Sequence, residues 1–202
     1  MVTDEDAWNA YPWARYKYFN KLWLSEYLEY ICGPAGIKIP KTGEYVVRPI
    51  YNLEGMSRGA YCGTFESGYD SFPAGYFWCE KFEGEHYSVD FEKSTEGWNQ
   101  ILSVVGYKSS FKKFHRWEKI KTDYIIPNFL YHLEVPYINV EYIGNKIIEV
   151  HFRRNPDFYN HNYNTLDVIW ESDSPLNYDK TWTWIPAKEQ TDDDVRIGFY
   201  GR

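Results

Sequence analysis

The sequence predicts an α+β protein whose strands pair antiparallel, and three observations carry that prediction. Residues 137–143 and 146–152 are β-rich runs on either side of Gly144-Asn145, the composition of a hairpin. Residues 20–32 place Trp23, Leu24, Tyr27, Leu28 and Ile31 at helical spacing. Elsewhere short alternating runs are punctuated by glycine and proline, as strands joined by turns are.

At 202 residues the chain fits one domain or two small lobes with a sizeable core. Twenty Tyr, nine Trp and twelve Phe make core and pocket walls aromatic. A net charge of −7 disfavours nonspecific attraction to nucleic acid. The N-terminus, MVTDEDAW, is acidic where a signal peptide is basic and then apolar, and no window approaches the ~18 apolar residues of a membrane span. The expectation is a soluble, cytoplasmic protein without a membrane partner. Cys32, Cys62 and Cys79 lack CxxC spacing and read as buried free thiols.

In chain order, residues 20–32 form an amphipathic helix that Gly33-Pro34 stops. Residues 37–40 are short and extended. Residues 44–50 form a strand whose Pro49 marks an edge or the strand's end. The loop of residues 52–63 carries Gly55, Gly59, Gly63 and Arg58; it fits a phosphate-binding loop with a mobile counter-charge, and it fits an ordinary hairpin loop. A strand over 75–83 is broken by Gly84 and resumes over 86–91, whereas 98–107 fits a helix or a strand. The segment 108–121, KSSFKKFHRWEKIK, suits base stacking in a cationic groove through Lys112, Lys113, Arg116 and Trp117, or a solvated face. The acidity of the chain favours the solvated face. Residues 126–133 read as a helix begun by Pro127. The tail, 159–202, packs aromatic clusters on the body, with a solvated loop at 191–194.

Along the second hairpin arm, side chains alternate, so Glu149, His151 and Arg153 share one face and Ile148, Val150 and Phe152 the other. A two-residue turn leaves Glu141 opposite Ile148; a three-residue loop or a bulge sets it across from Glu149. Facing carboxylates repel in a plain sheet, so such a pair points to a divalent cation. A solvated edge hairpin with scattered charges is the other reading of these residues.

Taken in order, these pieces resemble the ATP-grasp superfamily over roughly residues 20–158. Asn20-Lys21 opens a helix followed by Gly36-Ile37-Lys38-Ile39-Pro40. Val46-Val47-Arg48-Pro49 leads into the glycine loop, Cys79-Glu80-Lys81-Phe82-Glu83-Gly84-Glu85-His86 looks like the adenine-binding hinge, and Glu141 with Glu149-Val150-His151-Phe152-Arg153 resembles the metal-binding end. The resemblance implies two small α+β lobes, 1–80 and 81–202, whose antiparallel sheets sandwich a nucleotide. It implies an ATP- and Mg2+-dependent ligase that joins a carboxylate to an amine or thiol through an acyl-phosphate. Its substrates are then ATP and a carboxylate-bearing small molecule or peptide.

By the same resemblance Glu141, Glu149 and His151 hold the metal, and Arg153 and Arg58 act on the transferred phosphoryl group. Arg48, Lys38, Glu80, Lys81, Phe82, Glu85 and His86 bind the nucleotide. The chain departs from the pattern at Arg48 (lysine in the family), at His86 (a ribose-binding glutamate, unless Glu85 is the match) and at His151 (asparagine). It has no room for a preceding domain that would supply part of the acceptor site. These departures imply an acceptor brought by a protein partner, or a nucleotide-binding or interaction module that has lost turnover.

Overall fold

The computed structural model describes residues 2–159, 162–174 and 177–202. They fall into two compact units: 2–84 with 140–151, and 85–139 with 152–202. The expected division was 1–80 and 81–202; in the structure residues 140–151 of the hairpin group with the N-terminal residues.

In the first unit, α1 (Asp4–Ala10) begins with a capping box in which Thr3 and Asp6 satisfy each other's backbone amides. Helix α2 (Lys21–Tyr27) is capped by the Asn20 side chain, which accepts from the Trp23 amide at 2.8 Å. It ends at Tyr27 and not at Cys32. Glu29 turns left-handed (φ 58°), and Glu80 then captures the next segment by accepting from the Ile31 amide at 3.0 Å. Cys32–Pro34 becomes strand β1. Gly33 is a site of close approach: a Cβ there would meet the Trp78 ring at 2.8 Å.

The sheet runs β1, β4 (Tyr76–Glu80), β2 (Gly43–Pro49), β3 (Tyr61–Phe65), antiparallel throughout. Pro49 stands at the end of β2, an interior strand. Ile39, Tyr45, Val47 and Trp78 form its core. Residues 37–40 form no strand; they hold the Trp78 indole, which donates to the Ile37 carbonyl at 2.9 Å. Of the three free thiols only Cys79 is buried, Cys32 is partly buried and Cys62 is exposed.

The regular structure described in the second unit is mostly strand: β5 (His86–Ser94), β6 (Gly97–Lys108), β7 (Phe114–Lys119), β10 (Thr165–Trp170), β11 (Thr183–Gln190) and β12 (Val195–Gly201). The order is β11-β12-β10-β7-β6-β5, then β8 (Tyr137–Ile143), which enters the first unit at Val140 and turns into β9 (Lys146–His151). Residues 98–107 are therefore strand. The expected helix at 126–133 is only a short 3-10 segment, Asn128–Leu130. The tail supplies strands as well as aromatic packing.

Basic side chains of 108–121 meet tail carboxylates. Lys112 lies 2.7 Å from Asp192, Lys113 pairs with Asp194, and Arg116 Nε lies 2.6 Å from Asp167. The loop at 191–194 is thus a clamp, with the Thr191 hydroxyl donating to the Asp194 carbonyl at 2.7 Å and Thr191 itself buried.

One polar network is built into this unit. Asp90, 1% exposed, accepts from the Asn139 amide at 2.8 Å and from the Asn155 backbone N–H at 2.9 Å. Both asparagines also donate to the Ser88 hydroxyl. Burial pushes the Asp90 carboxyl up to about 6, against the pull of the Asn139 and Asn155 hydrogen bonds and of Arg154 and Arg153. The network fixes the turn that follows β9 by its backbone.

Candidate nucleotide and metal site

The hairpin connection is two residues long, with Gly144 at φ 58° in the first position, where a type II′ turn requires glycine. The three-residue loop does not form, yet Glu141 does not turn away. Its Oε1 lies 3.7 Å from His151 Nε2, and Glu149 Oε2 lies 3.3 Å from the same nitrogen. Glu141, Glu149 and His151 each offer a ligand atom within 4.8 Å of the others. Atoms bound to one ion at ~2.1 Å lie up to about 4 Å apart, so modest closure would bring all three onto a single cation.

Three further side chains complete the cluster, all from the first unit. Lys21, at the first turn of α2, places Nζ 2.5 Å from Glu149 Oε2. Arg48, on β2, places Nη1 3.1 Å from Glu149 Oε1, and its Nη2 donates to the Ile148 carbonyl at 3.0 Å. Asp4, on α1, faces His151 Nδ1 at 2.9 Å. Burial works to raise the Glu149 carboxyl, but the Lys21 ammonium, the His151 ring and the Arg48 guanidinium outweigh it and hold the group well below the usual carboxylate range. Glu149 is ionised at neutral pH.

Glu149, His151, Lys21, Asp4 and Asn52 line a small recess of about 10 Å³. A single water needs about 10–15 Å³. The recess has the size for a water or one ion, not for a whole nucleotide.

The other expected site residues are placed as follows. Arg58 pairs with Glu54 inside the glycine loop, where Gly55 and Gly59 both have positive φ. Lys38 is exposed. Glu80 holds the Ile31 amide, Lys81 lies 3.1 Å from Glu44, and Phe82 packs edge-on to Tyr30. In the second unit Glu85 accepts from the Tyr87 hydroxyl at 2.6 Å, His86 is buried edge-on to the Phe114 and Trp117 rings, and Arg153 donates to the Arg154 carbonyl. Arg48 is the one expected nucleotide residue in direct contact with Glu149. Lys21 and Asp4 carry the cluster without having been singled out. The Asn20-Lys21 helix opening was visible in the sequence, whereas nothing near Asp4 marks it.

A two-lobed α+β architecture with a carboxylate-bearing hairpin is the class this fold defines, and the chain has the ATP-grasp fold. Among solved structures it is similar to an ATP-grasp superfamily protein from Archaeoglobus fulgidus, at 12% identity and a TM-score of 0.53, over 92% of this chain and 64% of that one. It also superposes on an L-amino acid ligase from Bacillus licheniformis at 8% identity and a TM-score of 0.43, over 67% and 40% of the two chains. The chain thus spans just under two thirds of the length of the archaeal protein. No family model matches the sequence, and no curated protein matches it. Among the described residues no helix is long and apolar enough to cross a membrane.

Proposed function

We propose that the protein is an ATP-dependent ligase that joins a carboxylate to an amine or thiol through an acyl-phosphate. The observation that carries this reading is the Glu141–Glu149–His151 group at the end of the hairpin of an ATP-grasp fold. A divalent ion, Mg2+ in the simplest case, held there would neutralise charge on the ATP phosphates and on the phosphoryl group in transit. Lys21 and Arg48 are the cations this chain itself supplies at the same place. Arg48 fixes Glu149 through a planar fork shared with the Ile148 carbonyl. Lys21, a point charge on a flexible stem, can leave Glu149 for a phosphate oxygen when an ion arrives. Arg153 and Arg58 are assigned to the transferred phosphoryl group, and Arg48, Lys38, Glu80, Lys81, Phe82, Glu85 and His86 to the nucleotide. The acceptor carboxylate is a small molecule or peptide, brought by a protein partner if not bound directly.

Release of ADP from Mg2+-ATP, measured against mixtures of amino acids, short peptides and small carboxylic acids, tests this. Turnover with one mixture, abolished by Glu149→Gln, is the expected result. A second reading has its own observation: both oxygens of Glu149 already face cations, Lys21 and Arg48. In that reading the protein binds nucleotide without turnover, and the assay gives ATP binding with no ADP above the Glu149→Gln background.

A further inference from the structure

We infer that the metal this site selects is a first-row transition ion ligated by the imidazole of His151, with Asp4 as the residue that orients the ring. The inference rests on the metal site of the proposed function and names its ion class and a positioning residue.

The ring is held from both sides. His151 is 6% exposed, and its Nδ1 lies 2.9 Å from Asp4 Oδ1. A carboxylate can only accept, so Nδ1 carries the proton and donates it to Asp4. Nε2 points at Glu149 Oε2 and Glu141 Oε1, at 3.3 and 3.7 Å, and becomes a ligand atom when an arriving ion displaces its proton. The three side chains each offer a ligand atom within 4.8 Å of the others, so one cation can take them together.

A carboxylate on the far nitrogen of a histidine is the arrangement that fixes the tautomer of a metal-ligating imidazole and raises its basicity. Two carboxylate oxygens and one imidazole nitrogen form a mixed O/N set. Hard Mg2+ prefers oxygen and water, whereas imidazole suits Zn2+, Co2+ and their neighbours. Asp4 comes from α1, with Thr3 and Asp6 fixing the start of the helix, so the orienting carboxylate sits on a capped element. Lys21 sets the cost of entry, because its ammonium must leave Glu149 Oε2 for an ion to bind there.

The test titrates the full chain, without nucleotide, with CoCl2, ZnCl2 and MgCl2 by calorimetry, following the visible absorption of Co2+ in parallel. Co2+ is expected to bind at least ~100-fold more tightly than Mg2+. His151→Asn should cut that ratio tenfold or more, and Asp4→Asn should weaken Co2+ by about 10–100-fold, the usual cost of losing an outer-shell partner. Glu141→Gln, at a partly exposed position, should weaken both ions and leave the ratio unchanged, which guards against misfolding of the buried variants. A ratio that is the same in the wild type and in His151→Asn overturns the inference, because the carboxylates alone then bind the ion. So does the absence of binding by any ion at millimolar concentration, which means that Lys21 and a doubly protonated ring keep the carboxylates closed. Failure of the nucleotide reading is seen separately, as a melting temperature that ATP does not move.

Discussion

Glu149 in the first unit and Asp90 in the second are both carboxylates withdrawn from water, and their surroundings differ in kind. Glu149 is met by an ammonium, a guanidinium and an imidazole, whereas Asp90 is met by two asparagines, one through its side chain and one through its backbone. Cations on long side chains can exchange partners when a ligand arrives; amides built into strands and turns cannot. The first environment suits a site and the second suits a joint. In the first the carboxyl is held low, and in the second burial leaves it at about 6.

The largest test of this contrast is Glu149→Ala. It strands Lys21 and Arg48 in a buried setting, and removing one partner of such a pair costs about 3–5 kcal/mol. Urea unfolding at neutral pH should show a loss of that order; a loss under ~1 kcal/mol would mean that the cluster is solvated and the contrast with Asp90 is false.

Opposite pH slopes come next. Asp90 has its folded pKa raised from 3.8 to about 6, so the folded state binds the extra proton between those values. Its contribution is fully present below about pH 4 and is lost as the pH rises through 6, a change of order 3 kcal/mol. Glu149 has the opposite sign. Its contribution is present above the usual carboxylate range and is lost as the pH falls through its lowered folded value. Unfolding of the wild type and of Asp90→Asn between pH 4 and 7 should show a stability difference that moves in favour of the variant as the pH rises. A difference that stays flat refutes the assignment to Asp90.

Gly33→Ala separates packing from chemistry within the first unit. The added methyl meets the Trp78 ring, and overpacking of this kind costs about 1–3 kcal/mol. The melting temperature should fall while any ligand-induced rise survives. The smallest effect belongs to Lys112→Ala, which breaks a pair with the exposed Asp192 and should change stability by under ~1 kcal/mol. A larger loss would place the tail clamp among the stabilising ion pairs that the comparison reserves for Glu149.

The parts of the fold legible in the sequence are those set by near neighbours. The β8–β9 hairpin, β2 and the break at Gly84 follow from alternation and glycine or proline punctuation. The helical pattern over 20–32 ran past the end of α2, where Glu29 turns left-handed and the Ile31 amide goes to Glu80 instead of continuing the helix. The tail strands were hidden because β10 pairs with β7, far back in the chain. Of the side chains that meet in the candidate site, Glu141, Glu149, His151 and Arg48 were singled out by the order of motifs. Lys21 and Asp4 could not be assigned, since Asp4 meets His151 across 147 residues and no local pattern encodes such a contact.

In the proposed function the cluster around Glu149 meets the charged end of a nucleotide. Thermal unfolding with millimolar ATP and a divalent ion tests it most directly, run on the wild type and on Glu149→Gln. The melting temperature of the wild type should rise, as binding to the folded state requires, and the rise should be smaller in the variant. A wild-type curve that does not move contradicts both the ligase and the nucleotide-binding reading.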